Sequence, residues 1–247
     1  MNIKQYLDST YLKTPAQAGL TVVENTEIVK NFIQEAIDEN FKLIMIRPDM
    51  VSLAKEMITN AKSKVSIGTV IGFHEGKNSL QEKLEQANKA ILDGADDLDF
   101  VCNYEAFKKG EIDLVKSEIL EATKLGLNHH KVVKWIIEVV ALNNDQIIQL
   151  SALIKNVIMS NFNEESYNSV FVKSSTGFYV TQNSLPNGAT VASIIMMLEN
   201  CSPLPVKASG GVKSYEDAMA MIRLGVKRIG TSSAKAIANQ EISTSDY

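Results

Sequence analysis

The sequence is poor in the residues that build metal centres and disulfides. Its 247 residues include two cysteines, Cys102 and Cys201, and three histidines, His74, His129 and His130. Neither C-x-x-C nor H-x-x-x-H occurs, so no metal is expected, and the cysteines read as free thiols of a reducing cytosol. A basic excess is missing as well. With 25 Lys and Arg against 29 Asp and Glu, the net charge is −4, which argues against a general nucleic-acid binder but leaves room for a local basic pocket. No apolar run approaches the ~18 residues of a membrane span. The N-terminal MNIKQYLDST lacks the apolar core of a signal peptide, so a soluble cytoplasmic protein with no membrane partner is expected. There is no Gly-x-Ser-x-Gly elbow, no Walker loop and no early G-x-G-x-x-G. No Gly/Ser-rich linker divides the chain, so 1–247 is read as a single domain with a polar tail, ANQEISTSDY, from about 238.

What the sequence does have is alternation. Eight apolar runs of strand length fall at 5–10, 41–46, 65–73, 96–103, 132–140, 169–175, 204–210 and 226–233. Stretches of helical period lie between them, at about 49–62, 77–93, 111–125, 143–160, 189–200 and 214–224. Earlier still, Val29, Phe32, Ile33, Ala36 and Ile37 form a one-faced apolar stripe. In KSYEDAMAMIRLG, Ser214 is placed to cap a helix, Asp217 to sit in its first turn and Gly225 to end it. Eight βα repeats of roughly 30 residues predict a (β/α)8 barrel, with a doubly wound open sheet as the alternative. Met45 and Met221 are expected in the core.

Charged residues interrupt these runs: Asp8, Asp97, Asp99, Lys134, Glu138, Lys173 and Lys207. A buried unpaired charge costs about several kcal/mol. Any one of these could be a structural ion pair or a strand-edge residue. Their recurrence on five or more strands favours a shared polar cavity, and barrels build their sites at the C-terminal ends of strands. Lys173 in VFVKSSTGF and Lys207 in LPVKASGG are 34 positions apart, which predicts similar heights on neighbouring strands. An ordinary lysine, with a pKa near 10.4, is neutral in only about one molecule in a few thousand at pH 7. A second ammonium and partial burial both lower that pKa and would make an amine able to attack a carbonyl. The competing reading is two structural lysines paired with Asp99 and Glu138. A nearby carboxylate could shuttle protons, and alternation puts Asp97 and Asp99 on one face, so the residues alone do not choose between them.

Three small-residue turns, STG at 175–177, SGG at 209–211 and GTSS at 230–233, follow the last three strands. Backbone N–H groups in such turns make anion sites, and their clustering predicts a phosphate pocket. His74 reads as a loop residue, while His129 and His130 precede a strand, away from the expected site.

Taken together, these segments resemble the deoxyribose-phosphate aldolases, a family of class I aldolases. YLDSTYLK is similar to the family's L-D-x-T-x-L, TVIGFHEG to V-I-G-F-P-x-G, and GADDLDFV to G-A-D-E-[IV]-D. KWIIEV resembles K-V-I-I-E-T, FVKSSTGF resembles F-[IV]-K-T-S-T-G-F, VKASGGV has the family form, and RIGTSSA resembles R-[IL]-G-[TA]-S-S. The resemblance runs nearly end to end. It implies a barrel that reversibly cleaves 2-deoxy-D-ribose 5-phosphate to glyceraldehyde 3-phosphate and acetaldehyde, a step of deoxyribonucleotide breakdown needing no cofactor. It casts Lys173 as the Schiff-base lysine, Lys207 as its perturbing neighbour and Asp99 as the general acid/base. Asp8, Thr10, Lys134 and Thr176 would line the substrate pocket, and Gly177, Gly210, Gly211, Ser232 and Ser233 would bind phosphate. Tyr247 matches a C-terminal tyrosine that assists proton transfer in some members. Met45 replaces a common cysteine, His74-Glu75 a common Pro-Leu, and Ser9 a common histidine; the missing cysteine should affect aldehyde side reactions more than turnover. Other readings are a different Schiff-base phosphosugar lyase or transaldolase, or a non-catalytic phosphosugar-binding barrel. The partner expected is a small phosphosugar, and the assembly kept in view is a homodimer.

Overall fold

The computed structural model describes residues 1–181 and 187–241. Eight parallel strands close in sequence order into a barrel. They are β1 (Leu7–Thr10), β2 (Leu43–Ile46), β3 (Ser66–Ile71), β4 (Asp97–Val101), β5 (Val132–Ile136), β6 (Val170–Lys173), β7 (Val206–Ser209) and β8 (Arg228–Thr231). The helices that follow them are α1 (Val22–Glu39), α2 (Val51–Asn60), α3 (Leu80–Asp93), α4 (Ile112–Asn128), α5 (Asn144–Asn161), α6 (Val191–Cys201), α7 (Tyr215–Leu224) and α8 (Ala234–Asn239). The seam joins β1 to β8, with Leu7 opposite Ile229 and Asp8 opposite Gly230, and this closure excludes the open sheet. Among the described residues, no helix is long and apolar enough to cross a membrane.

The helices begin and end where local chemistry dictates. Ser214 caps α7 by accepting from the Asp217 amide, Asp217 returns the bond to the Ser214 amide, and Gly225 ends the helix at φ +116°. Thr21, Ser79 and Asn143 form the same reciprocal box on α1, α3 and α5. On α1, Val29, Ile33 and Ala36 are buried, while Phe32 and Ile37 pack at the margin of the core. The strands are shorter than the apolar runs that predict them: the runs at 5–10 and 41–46 begin before their strands, and the others continue past the strand's C-terminal end into the following loop. At the other end of the chain, α8 runs to Asn239, so the helix takes in the first two residues read as tail. Tyr247 lies outside the described residues.

The main core lies between the outer faces of the strands and the helices. Trp135 of β5 stacks on Phe100 of β4 at 5.2 Å and donates its indole N–H to Thr123 of α4 at 3.0 Å. This layer also holds a buried ion pair, Lys83 of α3 with Glu118 of α4. Lys83 donates further to the carbonyls of Gly76 at 2.8 Å and Val101 at 2.7 Å, and Glu118 accepts from the Asn103 amide.

Inside the barrel the lining is split. Leu43, Met45 and Val70 of β2 and β3 join Leu12 in a small apolar cluster, to which Phe73 and Phe178 add. The remaining strands point charges inward. Met45 is fully buried and Met221 nearly so.

Candidate active site

Strand register brings the inward charges to common heights. Lys173 stands opposite Lys207, Asp99 opposite Lys134, and Lys207 opposite Arg228. Asp99, fully buried, accepts from Lys134 through Oδ1 at 2.7 Å and from both Lys173 and Lys207 through Oδ2 at 2.9 and 3.0 Å. Lys134 also donates to Asp97 at 2.6 Å, and Lys207 pairs with Asp8 at 2.6 Å. Arg228 holds Asp8 at 2.6 Å and reaches Asp97 at 3.4 Å.

Burial and neighbours pull these groups in different directions. Burial alone would raise the Asp99 carboxyl, but Lys134, Lys173 and Lys207 outweigh it and hold it well below the usual carboxylate range. Asp8 is likewise lowered, as Arg228 and Lys207 overcome its burial. Burial disfavours the charge on Lys134, yet Asp97 and Asp99 together raise it. Lys173 goes the other way: burial lowers it, one carboxylate resists, Lys207 adds repulsion, and the result is about 8.

Above this network opens a cavity of about 460 Å³ lined by Lys173, Thr10 and Leu12 and by the turns after β6, β7 and β8. Of the predicted site residues, Lys173, Thr10, Thr176, Gly177, Gly210, Gly211 and Ser232 line it. Asp8, Asp99, Lys134 and Lys207 form the buried network beneath rather than the wall itself. Ser233 is buried at the start of α8, off the lining, with its amide on Thr231 Oγ1 at 3.0 Å.

The three glycine-bearing turns are not equivalent. In the turn after β6 the amides are already engaged: Thr176 donates to Glu138, Gly177 to Ser175 Oγ at 3.1 Å, and Phe178 to Thr176 Oγ1 at 3.0 Å. Glu138 sits beneath with its backbone at φ +55°, accepting the hydroxyls of Ser175 and Thr176 as well. It is therefore held by hydroxyl and amide donors, and among the described residues it pairs with no lysine, unlike in the competing reading of two structural lysines on Asp99 and Glu138. The amides of Gly210, Gly211 and Ser232, by contrast, donate to no group among the described residues. Gly210 and Gly211 lie at φ +78° and +79°, and a side chain on Gly210 would meet the Asn187 carbonyl at 2.5 Å. Only glycine can make that turn.

Three residues of this region escaped the sequence reading. Lys213 and Asn187 line the cavity, but each stands in a polar loop stretch with nothing to mark it. Arg228 carried the same signal as the other strand charges, an ion inside the apolar run 226–233, and belongs to the same network.

Comparisons with known proteins agree with this geometry. The model of the DeoC/LacD family aldolases matches residues 5–238. The deoxyribose-phosphate aldolase of Thermococcus gammatolerans is 37% identical over 238 residues, covering 96% of this chain and 95% of its own. That of Streptococcus suis is 35% identical over 248 residues, the full length of both. Among solved structures, the tetrameric deoxyribose phosphate aldolase of Aeropyrum pernix matches with a TM-score of 0.76 at 25% identity, covering 96% of this chain and 89% of its own. With a closed barrel, a lysine-rich interior and a family match over nearly its whole length, the chain belongs to the DeoC/LacD aldolase family.

Proposed function

We propose that this aldolase reversibly cleaves 2-deoxy-D-ribose 5-phosphate to D-glyceraldehyde 3-phosphate and acetaldehyde through an imine on Lys173. The observation that carries the reading is the state of that lysine. Of the three network lysines it alone lines the cavity, and it shares a single carboxylate oxygen with a second ammonium. With a pKa of about 8, roughly a tenth of it is neutral at pH 7, against about one part in three thousand for an ordinary lysine.

Neutral Lys173 attacks C1 of the open-chain sugar, and the carbinolamine loses water to an iminium. The iminium is the electron sink: the 3-hydroxyl gives up its proton, the C2–C3 bond breaks, and its electrons form an enamine as glyceraldehyde 3-phosphate departs. Protonation at C2 and hydrolysis then release acetaldehyde and free the amine. Asp99, held as an anion, stabilises the iminium, while Lys207 on the same oxygen relays protons through it. The unengaged amides of Gly210, Gly211 and Ser232 and the ammonium of Lys213 are the donors placed to take the phosphate. Borohydride reduction in the presence of acetaldehyde should leave an ethyl group on Lys173, located by peptide mass spectrometry, and a coupled assay should detect acetaldehyde released from the sugar phosphate. A label on any other lysine sinks the assignment, and a label on Lys173 without acetaldehyde release sinks the substrate.

A further inference from the structure

We propose that Arg228, which lies beneath the cavity and outside its lining, is a positioning residue whose fixed charge leaves Lys173 the least compensated ammonium of the inward-facing network. This rests on the reading of Lys173 as the nucleophile. Among the described residues, the inward-facing network joins four cations, Lys134, Lys173, Lys207 and Arg228, to three carboxylates, Asp8, Asp97 and Asp99. One cation is in excess, and the energy of a buried uncompensated charge favours losing a proton. A guanidinium does not give up its proton in a protein, so the proton must leave a lysine. Arg228 occupies Asp8 at 2.6 Å and extends to Asp97 at 3.4 Å, so neither carboxylate is left wholly to a lysine. Lys134 retains two carboxylates and so does Lys207, while Lys173 has only its share of Asp99 Oδ2.

Among the described residues, no other charge on the surrounding elements cancels the excess. β2 and β3 face the interior with Leu43, Met45 and Val70. Glu138, past the end of β5, accepts from Ser175 and Thr176. Arg47, past β2, donates to the Leu12 carbonyl, and Lys213 sits on the cavity wall above.

The test reads the acid limb of kcat/KM against pH, which reports the free enzyme's titrating group, and in parallel the pH dependence of imine trapping. Arg228→Met removes the excess cation, so Lys173 should hold its proton more firmly and the limb should move alkaline by roughly 0.5–1 unit. Asp97→Asn adds to the excess and should move the limb by a similar amount toward acid. The double variant restores the original excess of one cation and should return the limb to the wild-type position. A structural brace predicts lower stability or kcat in both single variants, with no opposed shifts. If both limbs stay in place while trapping still labels Lys173, the proposal is overturned and the nucleophile assignment stands. If the wild type is not trapped at Lys173, the assignment itself fails, whatever Arg228 does. Should Arg228→Met fail to fold, Asp97→Asn decides it alone: an unmoved limb in that variant is enough to reject the proposal.

Discussion

Lys83 and Lys173 are almost equally cut off from solvent, at 0% and 2% exposure, yet they are held in opposite ways. Lys83 lies outside the barrel with one carboxylate of its own, Glu118, and two carbonyls. Each of its three N–H groups has a separate acceptor, and the charges balance one to one. Lys173 lies inside, with one acceptor oxygen that Lys207 also uses, in a network with more cations than anions. The first arrangement compensates a buried charge fully, whereas the second leaves it short of acceptors beside a cavity. Burial alone does not separate the two lysines. The supply of acceptors does.

The difference is broken most sharply by removing each lysine in turn. Lys173→Met should lower turnover by at least ~10³-fold and abolish imine trapping. It should not lower the melting temperature at pH 7. Because the folded-state pKa of Lys173, about 8, lies below its usual 10.5, the folded state disfavours the charged form. That penalty is fully present below pH 8 and fades as pH rises through 10.5. The variant should therefore be at least as stable as wild type near neutrality, and lose that advantage above pH ~10. A marked loss of stability at pH 7 would place Lys173 with Lys83 as a structural ion.

Lys83→Met should show the reverse. It leaves Glu118 buried without its cation, which costs roughly 3–5 kcal/mol, read as a lower urea midpoint. Lys83 also ties the carbonyl of Gly76, in the loop after β3, to that of Val101 at the end of β4, so the loop after β3 should become more open to proteolysis. Turnover per folded molecule should stay within about threefold, and the acid limb of the pH profile should not move. Replacing Glu118 by Gln in the same chain should recover part of the stability, because the stranded charge is then gone.

The same contrast explains what was legible in the sequence. Alternating apolar runs and helical stripes were enough for the barrel, since a strand buried on both faces and a helix buried on one leave distinct periods. Lys173 and Lys207 could be placed side by side because one βα repeat separates them, and the register sets them opposite each other. Which charge serves which partner was not legible. Glu138 looked like a lysine's counter-ion in one reading, but past the end of β5 its backbone turns to φ +55° and its carboxylate meets the 175–176 turn instead. Likewise, the STG turn looked like an anion cradle; its Thr176 amide meets Glu138 and its Gly177 amide the turn's own Ser175 hydroxyl, while Gly177 still lines the cavity. Such outcomes depend on side-chain direction at a bend, which residue order does not encode. Lys83 was missed for a related reason: a lysine amid the polar residues of SLQEKLEQ carries no sign that its side chain turns inward.

Glu138 supplies the finest test, because it is a third way to hold a buried ion. It has neither the dedicated opposite charge of Lys83 nor the crowded network of Lys173; three N–H and O–H donors from Ser175 and Thr176 solvate it. If those bonds alone stabilise the carboxylate, Glu138→Gln should cost only about 1 kcal/mol. Charge-assisted bonds become ordinary ones, and one donor loses its acceptor, while no partner ion is left stranded. The acid limb should stay in place, since Lys173 draws its charge balance from Asp99 and Lys207 rather than from Glu138. A loss near that of Lys83→Met would mean that Glu138 answers a cation after all. A displaced acid limb would mean that the Lys173 network extends beyond its three carboxylates, and the balance of four cations against three would have to be redrawn.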